Sequence, residues 1–64
     1  MDAAAVMDIY DEAFDEAIAR GIADCEATRE AKTAAAMMLA AMDGLEDMAA
    51  YDQVEQVVQS NMLN

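Results

Sequence analysis

The 64-residue sequence contains no histidine, no proline and no tryptophan, and it has one cysteine and three basic residues. Without histidine, the chain lacks a common metal ligand and the side chain that exchanges protons near neutral pH. The single cysteine, Cys25, excludes an internal disulfide bond. Three basic residues against 14 acidic ones give a formal net charge of −11. This charge excludes an ordinary nucleic-acid binder and opposes binding to anionic membranes.

Long apolar runs are also missing from the sequence. The longest uncharged run, residues 33–42, covers ten residues, which is about half of a membrane crossing. Position 2 is acidic and no basic segment precedes an apolar one, so a secretory signal peptide is not predicted. The lone thiol and the missing export signal together predict a cytoplasmic protein.

Alanine and methionine dominate the apolar residues. Leu, Ile, Val and Phe together number 11, whereas alanine occurs 16 times and methionine 7 times. Because alanine and methionine favour helices, this composition predicts an ordered helical domain over residues 1–64 with a thin core. Small cores are usually supplemented by disulfides, a metal or a second subunit. With one cysteine, homo-oligomerisation is the supplement that we expect.

The only two glycines, Gly21 and Gly44, divide the chain into three helical segments. Glycine with a positive φ is typical of the residue just beyond a helix, and Asp24, Asp43 and Asp47 are candidate caps for the helices that follow. The sequence therefore predicts an all-α bundle of about three helices, near residues 3–20, 24–42 and 46–60, with a frayed tail at residues 61–64. No window alternates with the period of a strand.

Two alternatives remain for the helix count. A single helix over residues 3–42 would absorb Gly21 at a cost of about 1 kcal/mol relative to alanine. Asp52 and Glu55 have the spacing of a capping box, which would divide the last helix in two.

The first segment has two chemically opposite faces. At about 100° per residue, its apolar side collects Val6, Met7, Ile9, Tyr10, Ala13, Phe14, Ala17 and Ile18. Its other side carries an acidic stripe, defined as Asp8, Asp11, Glu12, Asp15 and Glu16. Like charges three or four residues apart mildly destabilise an isolated helix.

The second and third segments have weaker patterns. In the second, the predicted core face consists of Ala27, Ala31, Ala34, Ala35, Met38 and Met42, with alanines every fourth residue that favour a close helix approach. In the third, the predicted core face consists of Met48, Tyr51, Val54, Val57, Val58 and Met62. Glu55 lies at the edge of that face, where Arg20, Arg29 or Lys32 would neutralise it.

The second segment is apolar on all sides near its end, so it needs a second surface to bury against. The predicted oligomer or partner seam consists of Ala36, Met37, Met38, Ala40 and Met42. The methionines at 37, 38, 42 and 48 have two interpretations. The first is ordinary core plus a dimer seam, and the second is a soft binding surface that resembles the one of calmodulin.

Candidate catalytic and metal-binding groups are few. Cys25 and the only serine, Ser60, have no histidine to activate them. We interpret Cys25 as a small apolar residue partly packed in a helix interface. The residues around Gly44 lack the spacing of an EF-hand, and a carboxylate di-iron site would require Glu-x-x-His pairs. The sequence predicts neither an enzyme, nor a cofactor, nor a metal site.

The acidic stripe has a plain interpretation and a functional one. It is typical of a solvated face that keeps a small apolar protein soluble, and of adaptation to high salt. As a functional surface, it is a ligand for a basic partner, because a row of carboxylates can occupy a channel lined by Lys and Arg that otherwise holds a nucleic-acid backbone. Asp43, Glu46 and Asp47 form a second acidic cluster that would extend this surface.

In size, charge and predicted helicity, the chain is similar to small acidic helical inhibitors made by bacteriophages, among them DNA mimics that block restriction or CRISPR enzymes. The similarity is one of class, and no motif carries it. It implies an inhibitor or adaptor that binds a basic, nucleic-acid-binding protein, in the host cytoplasm if the gene belongs to a phage. The alternative is a homo-oligomeric structural module with no inhibitory role.

Overall fold

A computed structural model describes residues 1–62 of the chain. It contains three α-helices, α1 (Ala3–Ala19), α2 (Asp24–Asp43) and α3 (Asp47–Met62), and no strand within the described residues. The predicted all-α, three-helix architecture is therefore confirmed. Both alternatives, a single helix over residues 3–42 and a divided last helix, are wrong. Helix α3 includes residues 61 and 62 of the predicted frayed tail, and residues 63–64 lie outside the described part.

The two glycines end α1 and α2 as their positions predict. Gly21 has φ +86° and Gly44 has φ +68°, a region that L-residues enter only with strain. After α1, the Ile22 N–H donates to the Ala17 carbonyl at 3.1 Å and the Gly21 N–H donates to the Ile18 carbonyl at 2.9 Å, which is a Schellman motif. After α2, the Gly44 N–H donates to the Ala40 carbonyl at 2.9 Å.

Helix starts follow the predictions less closely. Asp2 caps α1, because its carboxylate accepts the Ala5 N–H at 2.9 Å. Asp24 and Asp47 are not caps, since each is the first residue of its helix. At these positions their negative charges still interact favourably with the positive end of the helix dipole. Asp43 is the last residue of α2.

Helix α2 is the centre of the fold. It packs against both other helices, whereas α1 and α3 have little contact with each other. The core contains one leucine, three valines, a tyrosine and several alanines, and its largest fully buried side chains are Leu39, Val54 and Val58. Ala17 on α1 and Ala27 on α2 have no exposed surface, and small residues at buried positions allow two helix backbones to approach closely.

The core face of α2 differs from the predicted one. Met38 and Met42 are 49% and 68% exposed, while Leu39 and Ala36 are buried. The predicted face continued from the alanine row through Met38 and Met42. Because α3 covers a second side of α2, the buried arc is wider and turns toward Leu39.

Core faces of the other two helices are partly as predicted. On α1, Val6, Tyr10 and Ala17 are buried, and the Tyr10 and Phe14 rings stack with centroids 6.1 Å apart, but Ile18 at its end is exposed. On α3, the buried row consists of Ala50, Val54 and Val58. Met48 and Met62 are exposed, so their predicted place in the core is wrong.

The accessible surface of the molecule is 4343 Å², close to the roughly 4000 Å² of a compact monomer of 6.9 kDa. The extents of 32 × 26 × 17 Å describe a flattened bundle. Within residues 1–62, no helix is both long and apolar enough to cross a membrane.

Candidate functional site

The acidic stripe lies on the outer side of α1. All five of its side chains, Asp8, Asp11, Glu12, Asp15 and Glu16, are exposed. At 100° per residue, they fall within an arc of about 140° whose centre is opposite the buried row of Val6, Tyr10 and Ala17. From the first to the last carboxylate, the stripe runs about 12 Å along the helix axis.

Three of the four basic groups in residues 1–62 form ion pairs away from the acidic stripe, and Arg29 is in no ion pair within these residues. Arg20 Nη2 lies 2.5 Å from Glu30 Oε1, and Lys32 Nζ lies 3.9 Å from Glu55 Oε2, which confirms that Glu55 is neutralised by one of the predicted cations. The N-terminal ammonium lies 2.8 and 3.0 Å from the two Asp43 oxygens. None of these ion pairs includes a carboxylate of the acidic stripe.

One residue of the stripe still influences a cation. The pKa of Arg20 is raised above its ordinary value, chiefly because Glu30 accepts a hydrogen bond from it and lies beside it, with a smaller contribution from the charge of Glu16. The Arg20 side chain is itself exposed. Arg20 therefore reduces the negative potential only at the C-terminal end of the stripe.

Repulsion within the stripe is not relieved by the fold. Its members form five like-charge pairs three or four residues apart, and each such pair costs a few tenths of a kcal/mol on an exposed helix. The five carboxylates do not contact the core, so their only structural effect is to keep this side of α1 solvated. Its positions are nevertheless the ones that a docking partner can reach.

The second acidic cluster lies at the turn between α2 and α3. Asp43, Glu46 and Asp47 are all exposed, and Asp43 is held by the N-terminal ammonium. Because this contact places the turn beside the start of α1, the cluster precedes the acidic stripe along the axis of α1. Asp8 is five residues from Ala3, the first residue of α1, or about 7.5 Å along the helix.

The predicted seam divides into a buried and an exposed part. Ala36 is buried in the core and Ala40 is half-buried against it, so these two positions do not lie on an outer surface. The exposed residues are Met37, Met38, Ala41 and Met42, which we name the methionine face. Their spacing makes the face continuous, because residues three and four apart are neighbours on a helix. Met37 is 66% exposed, so its side chain is not part of the core.

Cys25 is exposed in the first turn of α2, so its predicted packing in a helix interface is wrong. Its helix begins at Asp24, where the chain has just left the turn and no other element covers it. Through Met62, no group of three or more cysteine, aspartate or glutamate side chains is arranged to hold a metal ion.

Sequence reasoning missed an open groove between α1 and α3. Its lining includes the apolar residues Ala3, Met7 and Val57 and the polar residues Gln53 and Gln56. The groove exists because α1 and α3 both pack on α2 rather than on each other. No local pattern in the sequence encodes this relation between two distant helices.

Comparisons of the chain with protein-family models, with curated proteins and with solved structures give no match. The candidate site therefore consists of two surfaces known from their geometry: the acidic stripe of α1 and the methionine face of α2.

Proposed function

We propose that this protein is a small acidic binding protein, an inhibitor or adaptor, whose α1 stripe docks on a basic surface of a partner protein. The observation that supports the proposal is the exposure of five carboxylates on one side of a rigid helix without an ion-pair partner in residues 1–62. A helix holds these charges in fixed positions, so little ordering is needed when a matching surface arrives.

The charge of the whole chain supports the same proposal. A net charge of −11 on 64 residues produces a field that accelerates encounters with a basic protein, by about 10- to 1000-fold at low salt. Charges of this kind govern the association rate and the choice of partner more than the final affinity. The partner is therefore a protein with a concentrated patch of Lys and Arg.

A surface that binds a nucleic-acid backbone has this chemistry. Carboxylates on neighbouring helical turns lie about 5–6 Å apart, and a protein groove that tracks phosphates along a strand is lined by positive side chains and tolerates any base sequence. The proposed mechanism is competition: the stripe occupies the basic groove and blocks its nucleic acid. This is how phage-encoded DNA mimics of the anti-restriction or anti-CRISPR kind act, and we place the protein in that class by proposal only.

The test uses the purified chain on a solid support and a bacterial lysate at low salt. We expect captured proteins to be nucleic-acid-binding proteins that elute when either sodium chloride or duplex DNA is added. The matched control is the Asp11→Asn, Glu12→Gln, Asp15→Asn variant. It keeps the size and shape of these side chains but removes three of the five charges of the acidic stripe. It should capture much less of the same proteins.

Two results of this experiment would contradict charge-led docking. Capture that is unchanged up to moderate ionic strength, or that the triple variant retains in full, rules out a charge-led mechanism, because exposed charges are screened within about 10 Å at 0.1 M salt.

The second candidate function is a homo-oligomeric helical module, with the acids only solvating it. The observation that favours it is the exposed methionine face of α2. Sedimentation of the parent and of Met37→Glu decides the matter. A monomeric mass for both contradicts the oligomer, whereas a larger mass that the substitution abolishes supports it.

A further inference from the structure

The methionine face is a binding surface without a partner in the fold. Met37, Met38 and Met42 are 66%, 49% and 68% exposed, although the neighbouring Ala35, Ala36 and Leu39 of the same helix are buried. No charged residue interrupts residues 33–42. We propose that this face binds an amphipathic helix of the partner protein, with apolar residues at its centre and Lys or Arg at its ends. The inference depends on the proposed function, because it describes the same partner.

Methionine suits this role better than a rigid apolar residue. Its unbranched side chain has three rotatable bonds and a polarisable sulfur, so a methionine surface adapts to different apolar partners. Amphipathic helices bind such surfaces through residues spaced three and four apart. The face spans residues 37–42, so it accepts about two turns of a helix.

Charge selects the occupant of the face. Exposed Glu46 and Asp47 follow α2 directly, next to the end of the methionine face. A second copy of this chain would bring another net charge of −11 to the same place, and opposing like charges cost several kcal/mol at an interface. A helix that ends in Lys and Arg meets these carboxylates with the opposite sign. The occupant is therefore a basic helix rather than a second copy.

The two surfaces then have different roles in one complex. The acidic stripe attracts the partner over a distance and sets its orientation. The methionine face supplies the apolar contact that slows dissociation, because most affinity differences between related complexes arise in the dissociation rate. Loss of the stripe changes the association rate and its salt dependence, whereas loss of the face changes the dissociation rate.

The test uses defined peptides and methionine-methyl NMR spectra of the full chain. The probe is an amphipathic helical peptide of leucine and lysine, and its control replaces each leucine by alanine at the same charge. We expect the leucine peptide to bind at least tenfold more tightly and to shift the methyl signals of residues 37, 38 and 42. The Met37→Gln, Met42→Gln double variant should lose this preference. Met62→Gln is the matched control, because its side chain is equally exposed, at 67%, and it should keep the preference.

The outcomes separate this inference from the proposed function. Equal binding of both peptides, or methyl shifts at Met62 rather than at the face, overturns the inference but leaves charge-led docking intact. Sedimentation that shows a dimer of the parent and a monomer of the double variant overturns it as well, because a second copy then occupies the face. Preference for leucine at the face, combined with lysate capture that DNA cannot displace, supports the inference and contradicts the nucleic-acid-mimic proposal.

Discussion

The acidic stripe should make the protein more stable as salt is added. Its five residues form five like-charge pairs, 8–11, 8–12, 11–15, 12–15 and 12–16. At about 0.2–0.5 kcal/mol for each pair, the total repulsion is about 1–2.5 kcal/mol at low ionic strength. No cation of the described residues is paired with the stripe, so this repulsion is present in the folded state and decreases when the helix unfolds.

Screening determines how much stability salt restores. The Debye length falls from about 30 Å at 0.01 M to about 3 Å at 1 M, so charges about 5–6 Å apart lose roughly four-fifths of their low-salt interaction. The expected gain is therefore about 0.8–2 kcal/mol. For a domain of this size, 1 kcal/mol raises the Tm by about 4–8 °C, and thermal unfolding followed by circular dichroism should show a rise of about 3–16 °C.

A matched pair of variants isolates the stripe from the net charge. Asp11→Asn, Glu12→Gln and Asp15→Asn together remove all five pairs, and this variant should be more stable at low salt and much less sensitive to sodium chloride. The control, with Glu26→Gln, Glu46→Gln and Asp52→Asn, changes the net charge equally but leaves the stripe intact. A Tm that does not rise with salt in the parent, or an equal salt dependence in both variants, refutes the reasoning.

Three further predictions concern single residues. Leu39→Ala removes the largest fully buried side chain and should cost about 2–5 kcal/mol, so helicity measured by circular dichroism should be largely lost, whereas a parent-like melt would contradict the central position of Leu39. Gly44→Ala should cost about 1–2 kcal/mol of stability, because alanine is strained at a φ of +68°. An added Cβ meets nothing within 4 Å, so this backbone strain is the only expected cost. An unchanged Tm would contradict a left-handed Gly44. The exposed Cys25 thiol should react with a maleimide in buffer about as fast as in urea, and a tenfold slower reaction in buffer would show that it is covered.

Local chemistry explains which features the sequence predicts well. The ends of α1 and α2 follow from Gly21 and Gly44, because few residues adopt a positive φ. The faces of α1 are predictable because charged and apolar residues recur at helical spacing and fall on opposite sides of the helix. The exposure of Asp11 and Glu12 required no knowledge of the other helices, since a row of carboxylates avoids a dry interface.

The orientation of α2 is different because its residues are alike on every side. Between positions 33 and 42, alanine and methionine occur all round the helix, so periodicity does not show which side is buried. That side depends on where α3 packs, and the structure places Leu39 and Ala36 there rather than Met38. On α3, the predicted core face contained Met48, whereas the structure buries Ala50 and exposes Met48. Tertiary contacts, rather than local pattern, therefore decide which methionines are available for binding.

The small alanines at the contact between α1 and α2 are expected to tolerate substitution poorly, although small residues are usually easy to replace. Ala17, Ala27 and Ala31 have no exposed surface and no side-chain torsion that can rotate to admit a larger neighbour. Natural variants there are limited by volume rather than by polarity, since a valine would push the two backbones apart. Evolution of this protein is therefore expected to leave its interior almost unchanged while its outer residues diverge freely, so distant relatives would share a spacing of small residues rather than a recognisable string of letters.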